Sequence, residues 1–376
     1  MQEFKINVLS LDMDFEVTVI GAGVIGLCIA RKMCKKNFDT VVIEKNKSFG
    51  KEGSSRNSGV IHAGIYYKKS SKKSIFCKIG NKLLYEYIKE KKINHLKCGK
   101  LIVASCKSED VLLKDIKKNA SKNGVNLIYY NKKQTNKIEP QLNVYSSLFS
   151  PTTGTVDVHE FMFNLENDVI NDKGLITYNS EVEEIWPEDK QISFKIKNEN
   201  KIFKTRILIN SAGLFSHKLA KKIRFLNFKT IPKINYIKGD YFKLIGRPPF
   251  KKLIYPLPSK NSLGIHSTIN FNNETIFGPD EEFVDKISYN IKLQKKKKFI
   301  DSIKKYWPEI EKREIQPDYS GIRTTSISND FIVQSKENHK INGLINLYGI
   351  NSPGLTSSLA LSEFTYANIA NGRFVE

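Results

Sequence analysis

The sequence lacks several features that would place a protein in a special class. It contains no run of about 18 apolar residues, which excludes a typical membrane-spanning helix. The N-terminal residues carry acids and lack the apolar core of a secretory signal. The cysteines are odd in number and form no C-x-x-C pair, so we expect neither a disulfide framework nor a metal site. We expect the protein to reside in a reducing compartment, the cytoplasm. The five cysteines are Cys28, Cys34, Cys77, Cys98 and Cys106.

Arginine is scarce although the chain is strongly basic. The 61 basic residues exceed the 39 acidic ones by 22, and only 8 of the 61 are arginines, which leaves 53 lysines. Such a charge fits a partner that carries phosphates, either nucleic acid or an anionic membrane surface. It also fits the composition encoded by an A/T-rich genome, because Lys, Asn and Ile are all abundant. We favour the compositional explanation and do not expect nucleic acid as a partner.

The first interpretable pattern is a strand, a helix and a second strand near the N-terminus. Val17–Gly21 is a short apolar run rich in β-branched residues, typical of a buried parallel strand. Val24–Met33 carries apolar residues at helical spacing, and Thr40–Glu44 is a second buried strand that ends in an acid. Together they predict a βαβ unit with glycines at its first turn.

The turn of this unit carries the spacing Gly-x-Gly-x-x-Gly. Gly21 permits a tight turn, Gly23 lets the backbone approach a pyrophosphate, and Gly26 lets the helix pack on the strand. The N–H groups that begin the helix are then available to an anion. Glu44 can accept hydrogen bonds from both ribose hydroxyls and would repel a 2′-phosphate, which disfavours NADP. A glycine-rich turn without a ligand is the alternative.

Comparable segments return in the middle and at the end of the chain. Ile207–Ala212 is expected to be a buried strand, and Leu344–Gly349 a strand that leads into a helix near Thr356–Ala370. Strands dominate Tyr236–Ser267, and Glu281–Trp307 is expected to be a long helical region. We therefore predict an α/β nucleotide-binding domain assembled from three pieces, with a second domain threaded through it. The predicted boundaries are 15–80, 151–222 and 322–376 for the first domain, and 81–150 and 223–321 for the second.

A second glycine-rich loop, Gly53–Tyr67, follows the second strand. A nicotinamide-binding domain gains nothing obvious from such a loop, whereas a flavin enzyme does, because the pyrophosphate and the isoalloxazine both need close backbone approach. A polar surface loop is the alternative. The candidate contacts for the pyrophosphate and ribityl region are Ser54, Ser55, Arg56 and Asn57.

Several stretches of the chain resemble the L-2-hydroxyglutarate dehydrogenase family. That family belongs to the glutathione-reductase-type flavoproteins, related to D-amino acid oxidase, glycine oxidase and glycerol-3-phosphate dehydrogenase. The resemblance covers nearly the whole chain, and it implies an FAD-binding domain of that type, interleaved with an α+β substrate domain on an antiparallel sheet. It also implies that the glycine turn holds the ADP half of FAD. The stretches are SSRNSGVIHAGIYY, CGKLIVAS, LGIHST, IFGPD, YSGIRTT and NSPGLTSSLA.

The resemblance also implies which residues hold FAD. One implied position presents its backbone to the adenine, and a late loop places a helix N-terminus against the flavin pyrimidine, where it stabilises negative charge on the reduced ring. The implied cofactor residues are Gly21, Gly23, Gly26, Glu44, Lys45, Ser54, Ser55, Arg56, Asn57, Val182, Ala212, Gly213, Gly349, Asn351, Gly354, Leu355 and Thr356.

The implied substrate is a five-carbon dicarboxylate with a hydroxyl at C2, oxidised to 2-oxoglutarate. Hydride transfer from an alcohol requires the hydroxyl proton to leave, so we expect a base. The two candidates are His62, in the flavin loop, and His266, expected within a strand of the second domain. His62 is alternatively a residue that packs against or is linked to the flavin, and His266 a core histidine.

The substrate carboxylates require cations. Arg323 aligns with the arginine that grips the α-carboxylate in the amino acid oxidase relatives, and a planar guanidinium suits a bidentate clamp. A structural ion pair is the alternative. Lys100 is a weaker candidate for the distal carboxylate. The tyrosines that could line the pocket are Tyr66, Tyr241 and Tyr255.

The lysine-rich stretch 292–299 has two interpretations. One is a basic helix that touches an anionic membrane, giving loose attachment to the inner face of the cell membrane. The other, which we favour, is a solvated face of a domain helix. Oxygen, a membrane quinone and a soluble carrier all fit as electron acceptor. A dehydrogenase or oxidase of another 2-hydroxy acid, an amino acid or glycerol 3-phosphate, and a nucleic-acid-associated flavoprotein, stay open as rival functions.

Overall fold

The computed structural model describes residues 13–257 and 264–372. The strands are β1 (Phe15–Ile20), β2 (Thr40–Ile43), β3 (Val60–Ile61), β4 (His95–Leu96), β5 (Lys100–Ala104), β6 (Ile128–Asn131), β7 (Ser146–Ser150), β8 (Gly154–Val156), β9 (Leu175–Thr177), β10 (Val182–Pro187), β11 (Ile192–Ile196), β12 (Ile202–Asn210), β13 (Ile234–Leu244), β14 (Leu253–Pro256), β15 (Ser267–Ile269), β16 (Thr275–Phe277), β17 (Glu282–Val284), β18 (Ile315–Ser326), β19 (Ile332–Gln334) and β20 (Leu344–Tyr348). The α-helices are α1 (Val24–Cys34), α2 (Lys72–Lys91), α3 (Lys107–Lys122), α4 (Lys132–Ile138), α5 (Val158–Asn171), α6 (Ser216–Ala220), α7 (Lys295–Lys304), α8 (Lys336–His339) and α9 (Gly354–Ala370).

The first sheet collects strands from distant parts of the chain. Its order is β10-β11-β12-β1-β2-β9, and β20 pairs with β12 and with β19. Neighbouring strands run parallel in the pairs β1–β2, β1–β12, β2–β9 and β12–β20. Because β1, β2 and β20 are apolar and almost wholly buried, this centre has the composition of a parallel sheet covered on both faces. The predicted βαβ unit is therefore present.

Helices α1, α2, α5 and α9 pack together on one face of this sheet. Asp168 of α5 joins three of them, because it accepts hydrogen bonds from Arg31 at 2.6 Å, from Tyr87 at 2.9 Å and from Lys91 at 2.5 Å. A buried carboxylate with three donors is well compensated, and breaking such a group is far costlier than breaking a surface ion pair. Asp168 thus holds α1, the helix that follows the glycine turn, against α2 and α5.

The second sheet has the order β17-β13-β16-β15-β14-β5-β7-β6, with β18 also paired to β13. Its longest pair is β13 with β18, antiparallel from Ile234 opposite Ser326 to Leu244 opposite Ile315. A small third sheet has the order β3-β8-β4. The strand-rich segment also predicts a hairpin-like connection at SKNS, residues 259–262, which lies outside the described residues. The strands β14 and β15 on its two sides pair antiparallel.

The helix expected over Glu281–Trp307 is wrong for its first half. Residues 282–284 form β17, whose backbone pairs with β13 at Ile237 and Lys238. Ile287 then packs against a buried cluster rather than along a helix face. Helix α7 begins only at Lys295. The spacing of apolar residues was helical, but sheet pairing and tertiary packing determine the backbone here.

The domain boundaries stay a prediction. The predicted boundary after residue 80 falls within α2, and the one after residue 321 falls within β18, so both elements extend across the predicted division. Within the described parts of the chain, no helix combines the length and apolarity needed to cross a membrane.

Candidate active site

The glycine turn after β1 is as tight as its spacing predicts. Gly21 has φ +107°, and a Cβ there would lie 2.8 Å from the Ser211 carbonyl oxygen. A Cβ on Gly26 would lie 1.9 Å from the Gly21 carbonyl oxygen, so α1 packs on the turn with no room for a side chain. Gly23 has space only up to the Ser54 Oγ, at 3.0 Å. The turn therefore leaves backbone where a larger residue would project into a ligand.

Glu44 is held beside this turn at the end of β2. Its side chain is buried, Oε2 accepts from the Ala22 N–H at 2.8 Å, and Oε1 accepts from the Asn46 N–H and side-chain amide, both at 2.8 Å. These donors fix the carboxylate at the cavity wall next to Lys45. Oε1 already accepts two hydrogen bonds, whereas Oε2 accepts one from the described residues and keeps a lone pair for a ribose hydroxyl.

The second glycine-rich loop covers the start of α1. Ser54 Oγ accepts from the Val24 N–H at 3.0 Å, which brings its hydroxyl to the helix N-terminus. Asn57 donates to the Ser54 carbonyl at 2.6 Å, and the Arg56 guanidinium lies 4.0 Å from the centre of the Tyr289 ring. Ser55 instead donates to the Gly50 carbonyl. The Ser55 side chain thus stabilises the loop, while the other three predicted residues reach the cavity.

A cavity of about 1620 Å³ runs from the glycine turn to the second sheet. It exceeds the roughly 300–1,000 Å³ of a site for a drug-sized ligand, as a dinucleotide plus a substrate requires. Four predicted residues lie outside its wall: Gly26, Ser55, Thr356 and Lys100. The predicted residues that line it are Gly21, Gly23, Glu44, Lys45, Ser54, Arg56, Asn57, His62, Tyr66, Val182, Ala212, Gly213, Tyr241, Tyr255, His266, Arg323, Gly349, Asn351, Gly354 and Leu355.

The loop between β20 and α9 forms one end of the cavity. Gly349 has φ +64°, and α9 begins at Gly354 with no side chain capping its N-terminus. The Asn351 Oδ1 is buried and has no hydrogen-bond partner among the described residues. A buried acceptor without a donor is costly unless a ligand supplies one. The exposed helix N-terminus and this acceptor together suit a ring that carries both N–H groups and negative charge.

The two candidate histidines lie on the cavity wall in different settings. The Nε2 of His62 lies 3.2 Å from Ser352 Oγ, and its backbone N–H donates to Thr356 Oγ1 at 2.9 Å. Burial, together with the charge of Lys100, lowers the pKa of His62 to about 3. His266 lies just before β15 rather than inside a strand, and its ring stacks on Tyr255 with centroids 3.6 Å apart.

The predicted cations differ in their access to the cavity. Arg323, on β18, donates through one NH2 group to Glu281 Oε1 at 3.0 Å, and both side chains line the cavity. Lys100 is 1 % exposed, with its Nζ 4.4 Å from the Tyr255 ring centre and 5.2 Å from that of Tyr66. Arg323 is thus both ion-paired and open to a ligand, whereas Lys100 lies behind the tyrosines.

Three wall residues were missed by the sequence analysis. Lys73, at the start of α2, is buried although it lies among the lysines of KKSSKKS, and nothing in that run distinguishes it. Glu281 fell in a segment expected to be helical. Ser352 lies within NSPG, a motif already assigned to FAD, so its proximity to His62 was not foreseen.

Comparison with known proteins identifies the family. Residues 16–367 match the family model described as DAO, FAD dependent oxidoreductase. The chain belongs to this family. It is 36% identical to the mitochondrial L-2-hydroxyglutarate dehydrogenase of Arabidopsis thaliana over 93% of this chain and 82% of that protein. It is 28% identical to the glycerol 3-phosphate dehydrogenase of Caloramator mitchellensis over 95% of this chain and 74% of that protein.

A solved structure supports the same fold. The FAD-bound, dithionite-reduced L-alpha-glycerophosphate oxidase of Mycoplasma pneumoniae superposes with a TM-score of 0.86 at 23% identity, covering 96% of each chain. The family's α/β FAD-binding fold, predicted from the sequence, is confirmed, and this protein is an FAD-dependent oxidoreductase. The site fits FAD: the glycine turn carries no side chain, Glu44 holds a carboxylate at the cavity wall, and Asn351 Oδ1 has no donor among the described residues. The role of each individual residue stays a prediction.

Proposed function

We propose that this enzyme oxidises L-2-hydroxyglutarate to 2-oxoglutarate. The observation that carries the proposal is the cavity itself, which brings Arg323 and His62 onto the wall that continues from the dinucleotide turn. A cation that grips a carboxylate and a base that takes a hydroxyl proton are what a 2-hydroxy acid requires. The 36% identity to an L-2-hydroxyglutarate dehydrogenase supports this choice of substrate.

The reaction breaks the C2–H and O–H bonds and forms a C=O bond. Bound FAD supplies the acceptor for the hydride from C2. His62 receives the hydroxyl proton on Nε2 in the tautomer that carries the ring proton on Nδ1, and the low pKa keeps the imidazole neutral at working pH. A dianionic substrate raises that pKa, since nearby negative charge favours imidazolium. Ser352 Oγ, at 3.2 Å from Nε2, lies in the bonding direction of that nitrogen, so the substrate proton passes to Ser352 Oγ while the Ser352 hydroxyl gives its own proton to Nε2.

Arg323 binds the carboxylate next to C2 and so orients the C2–H bond. Its contact with Glu281 engages one NH2 group, and the guanidinium has five N–H donors in all. The contact also gives the arginine a counter-ion while the cavity holds no anion. Tyr241 lies beside it, donating or accepting a hydrogen bond with Ser58 Oγ at 3.2 Å and stacking on Tyr319 at 4.4 Å. These contacts give the carboxylate site a rigid wall.

Oxidation of glycerol 3-phosphate is the second candidate. The Caloramator relative named for that substrate matches 95% of this chain. A guanidinium such as that of Arg323, which binds a carboxylate, also binds a phosphate. Both substrates are secondary alcohols that carry an anion, so the proton acceptor and the fold do not separate them.

The test is anaerobic stopped-flow reduction of the FAD-loaded protein. The substrates are both enantiomers of 2-hydroxyglutarate, lactate, malate, glycerol 3-phosphate and sarcosine. We expect fast bleaching of the flavin with L-2-hydroxyglutarate and at least tenfold slower reduction with every other compound. Fast reduction by glycerol 3-phosphate alone would replace the first candidate with the second. His62→Asn should slow reduction about 100-fold or more without loss of FAD, and His159→Asn, at a histidine outside the cavity wall, is the control.

A further inference from the structure

Three lysines of the described chain are buried, but they are compensated differently. The Nζ of Lys238 lies 3.3 Å from Asp240 Oδ1. Neither Lys73 nor Lys100 has a carboxylate oxygen within 4 Å of its Nζ among the described residues. Of these two, only Lys73 lines the cavity. Lys73 is therefore a buried cation without an ion-pair partner, facing the space that a ligand occupies.

The position of Lys73 is fixed by the loop that follows β18. Asp330 accepts the backbone N–H groups of Lys72 and Lys73, both at 2.9 Å, and so ties the first turn of α2 to that loop. The Lys73 side chain crosses the Phe331 ring, with Nζ 5.8 Å from its centre, and donates to Asn329 Oδ1 at 3.2 Å. An ammonium group has three N–H donors, so this contact leaves it able to bind an anion.

The charges around Lys73 favour an anionic ligand. Burial and the nearby charge of Arg323 lower the pKa of Lys73 to about 8, against the opposing effect of Asp330. Two cations close enough to repel one another are stabilised together by an anion that reaches both. The buried Lys238 has such a partner in Asp240, whereas Lys73 has none among the described residues. A substrate with a second negative group would complete the same arrangement here.

We infer that Lys73 binds the distal carboxylate of the hydroxy acid and thereby sets the preference for a dicarboxylate. The inference rests on the proposed function. Arg323 holds the carboxylate at C1, the C2 hydroxyl lies towards His62, and Lys73 takes the far end of the five-carbon chain. Because this contact is remote from C2, it stabilises the ground state and the transition state alike, and its loss appears mainly in KM.

The experiment compares two substrates that differ only at the distal end. L-2-hydroxypentanoate has the chain length of L-2-hydroxyglutarate but ends in a methyl group. We expect Lys73→Met to lower kcat/KM for L-2-hydroxyglutarate about 10- to 100-fold, as expected for one charge-assisted hydrogen bond, and to change that for L-2-hydroxypentanoate less than threefold. Lys73→Arg should keep the preference within about fivefold. Lys72→Met, at the preceding residue on α2 and outside the cavity wall, should change neither value.

Two results would overturn the inference: equal slowing of both substrates by Lys73→Met, or no slowing of either. If Lys73→Met loses FAD, the wild-type pH profile decides. Deprotonation of Lys73 should lower kcat/KM for L-2-hydroxyglutarate above pH about 8 and leave that for L-2-hydroxypentanoate unaffected, and parallel profiles would refute the role.

The outcome also separates this inference from the proposed function. If wild-type enzyme is not reduced by L-2-hydroxyglutarate, the proposed function fails. Binding of glutarate and of pentanoate, followed by the change in flavin absorbance, then tests Lys73 alone. Tighter binding of glutarate that Lys73→Met abolishes would support the cation site, and equal binding of both acids would overturn it.

Discussion

Replacing Lys100 with methionine should stabilise the protein, and the gain should depend on pH. Lys100 is 1 % exposed on β5, between two tyrosine rings. Burial lowers its pKa from 10.5 to about 7. Since each pH unit corresponds to about 1.4 kcal/mol, the protonated lysine costs the folded state on the order of 5 kcal/mol. Methionine fills a similar volume without a charge, so it removes that cost.

The free energy of unfolding depends on pH because the folded and unfolded states bind different numbers of protons at Lys100. Between pH 7 and 10.5 the unfolded chain holds a proton on Lys100 that the folded protein has released, so the free energy of unfolding rises with pH. The cost is complete below pH 7 and disappears above 10.5. Lys100→Met should therefore exceed wild type by about 5 kcal/mol at pH 6 and by only about 1.4 kcal/mol at pH 9.5. Packing changes shift both values equally and leave their difference intact.

The assay is urea unfolding of both proteins at pH 6 and 9.5, with the same FAD concentration throughout. Lys89→Met, at an exposed position of α2, is the matched control and should shift stability by less than about 0.5 kcal/mol at either pH. A Lys100→Met gain that is the same at both pH values, or absent, would refute the reasoning, because it would show that the ammonium group is solvated in the folded protein.

Three further predictions concern the site and the surface. Arg323→Lys keeps the positive charge but loses the planar guanidinium, so kcat/KM for L-2-hydroxyglutarate should fall about 30- to 1,000-fold with normal FAD content. Arg313→Lys, outside the cavity wall, is the control, and a fall of less than threefold in Arg323→Lys would reject the assignment. Gly26→Ala should give protein without FAD, because its Cβ would lie 1.9 Å from the Gly21 carbonyl oxygen. Gly53→Ala, whose Cβ would lie 3.6 Å from the nearest atom, should retain FAD, and FAD bound to Gly26→Ala would contradict the prediction. The net charge of +22 should cause binding to anionic vesicles at low salt, with a binding free energy of roughly 1 kcal/mol per well-placed basic residue, and about 0.5 M salt should abolish it. Failure to sediment with such vesicles at low salt would exclude peripheral attachment.

The sequence predicted those parts of the site that local patterns determine. Strand, turn and helix from Phe15 to Cys34 follow from apolar runs and glycine spacing, and the structure reproduces them almost to the residue. The strand at 282–284 was not predictable in this way, because pairing with β13 outweighs the helical spacing of its residues. The burial of Lys73 could not be predicted either. It follows from the docking of α2 onto Asp330, which the run of similar lysines does not indicate.

The packing of α9 against α1 and α2 has a consequence for the order in which the chain is made. About 320 residues separate the end of α1 from the start of α9, so at 5 to 20 residues per second the ribosome needs roughly 16 to 64 seconds to deliver the second after the first. During that time the part of α1 that packs on α9 has no cover, and the glycine turn lacks the loop at Gly349–Gly354. The wall of the cavity is therefore completed only when the last segment of the chain has been made.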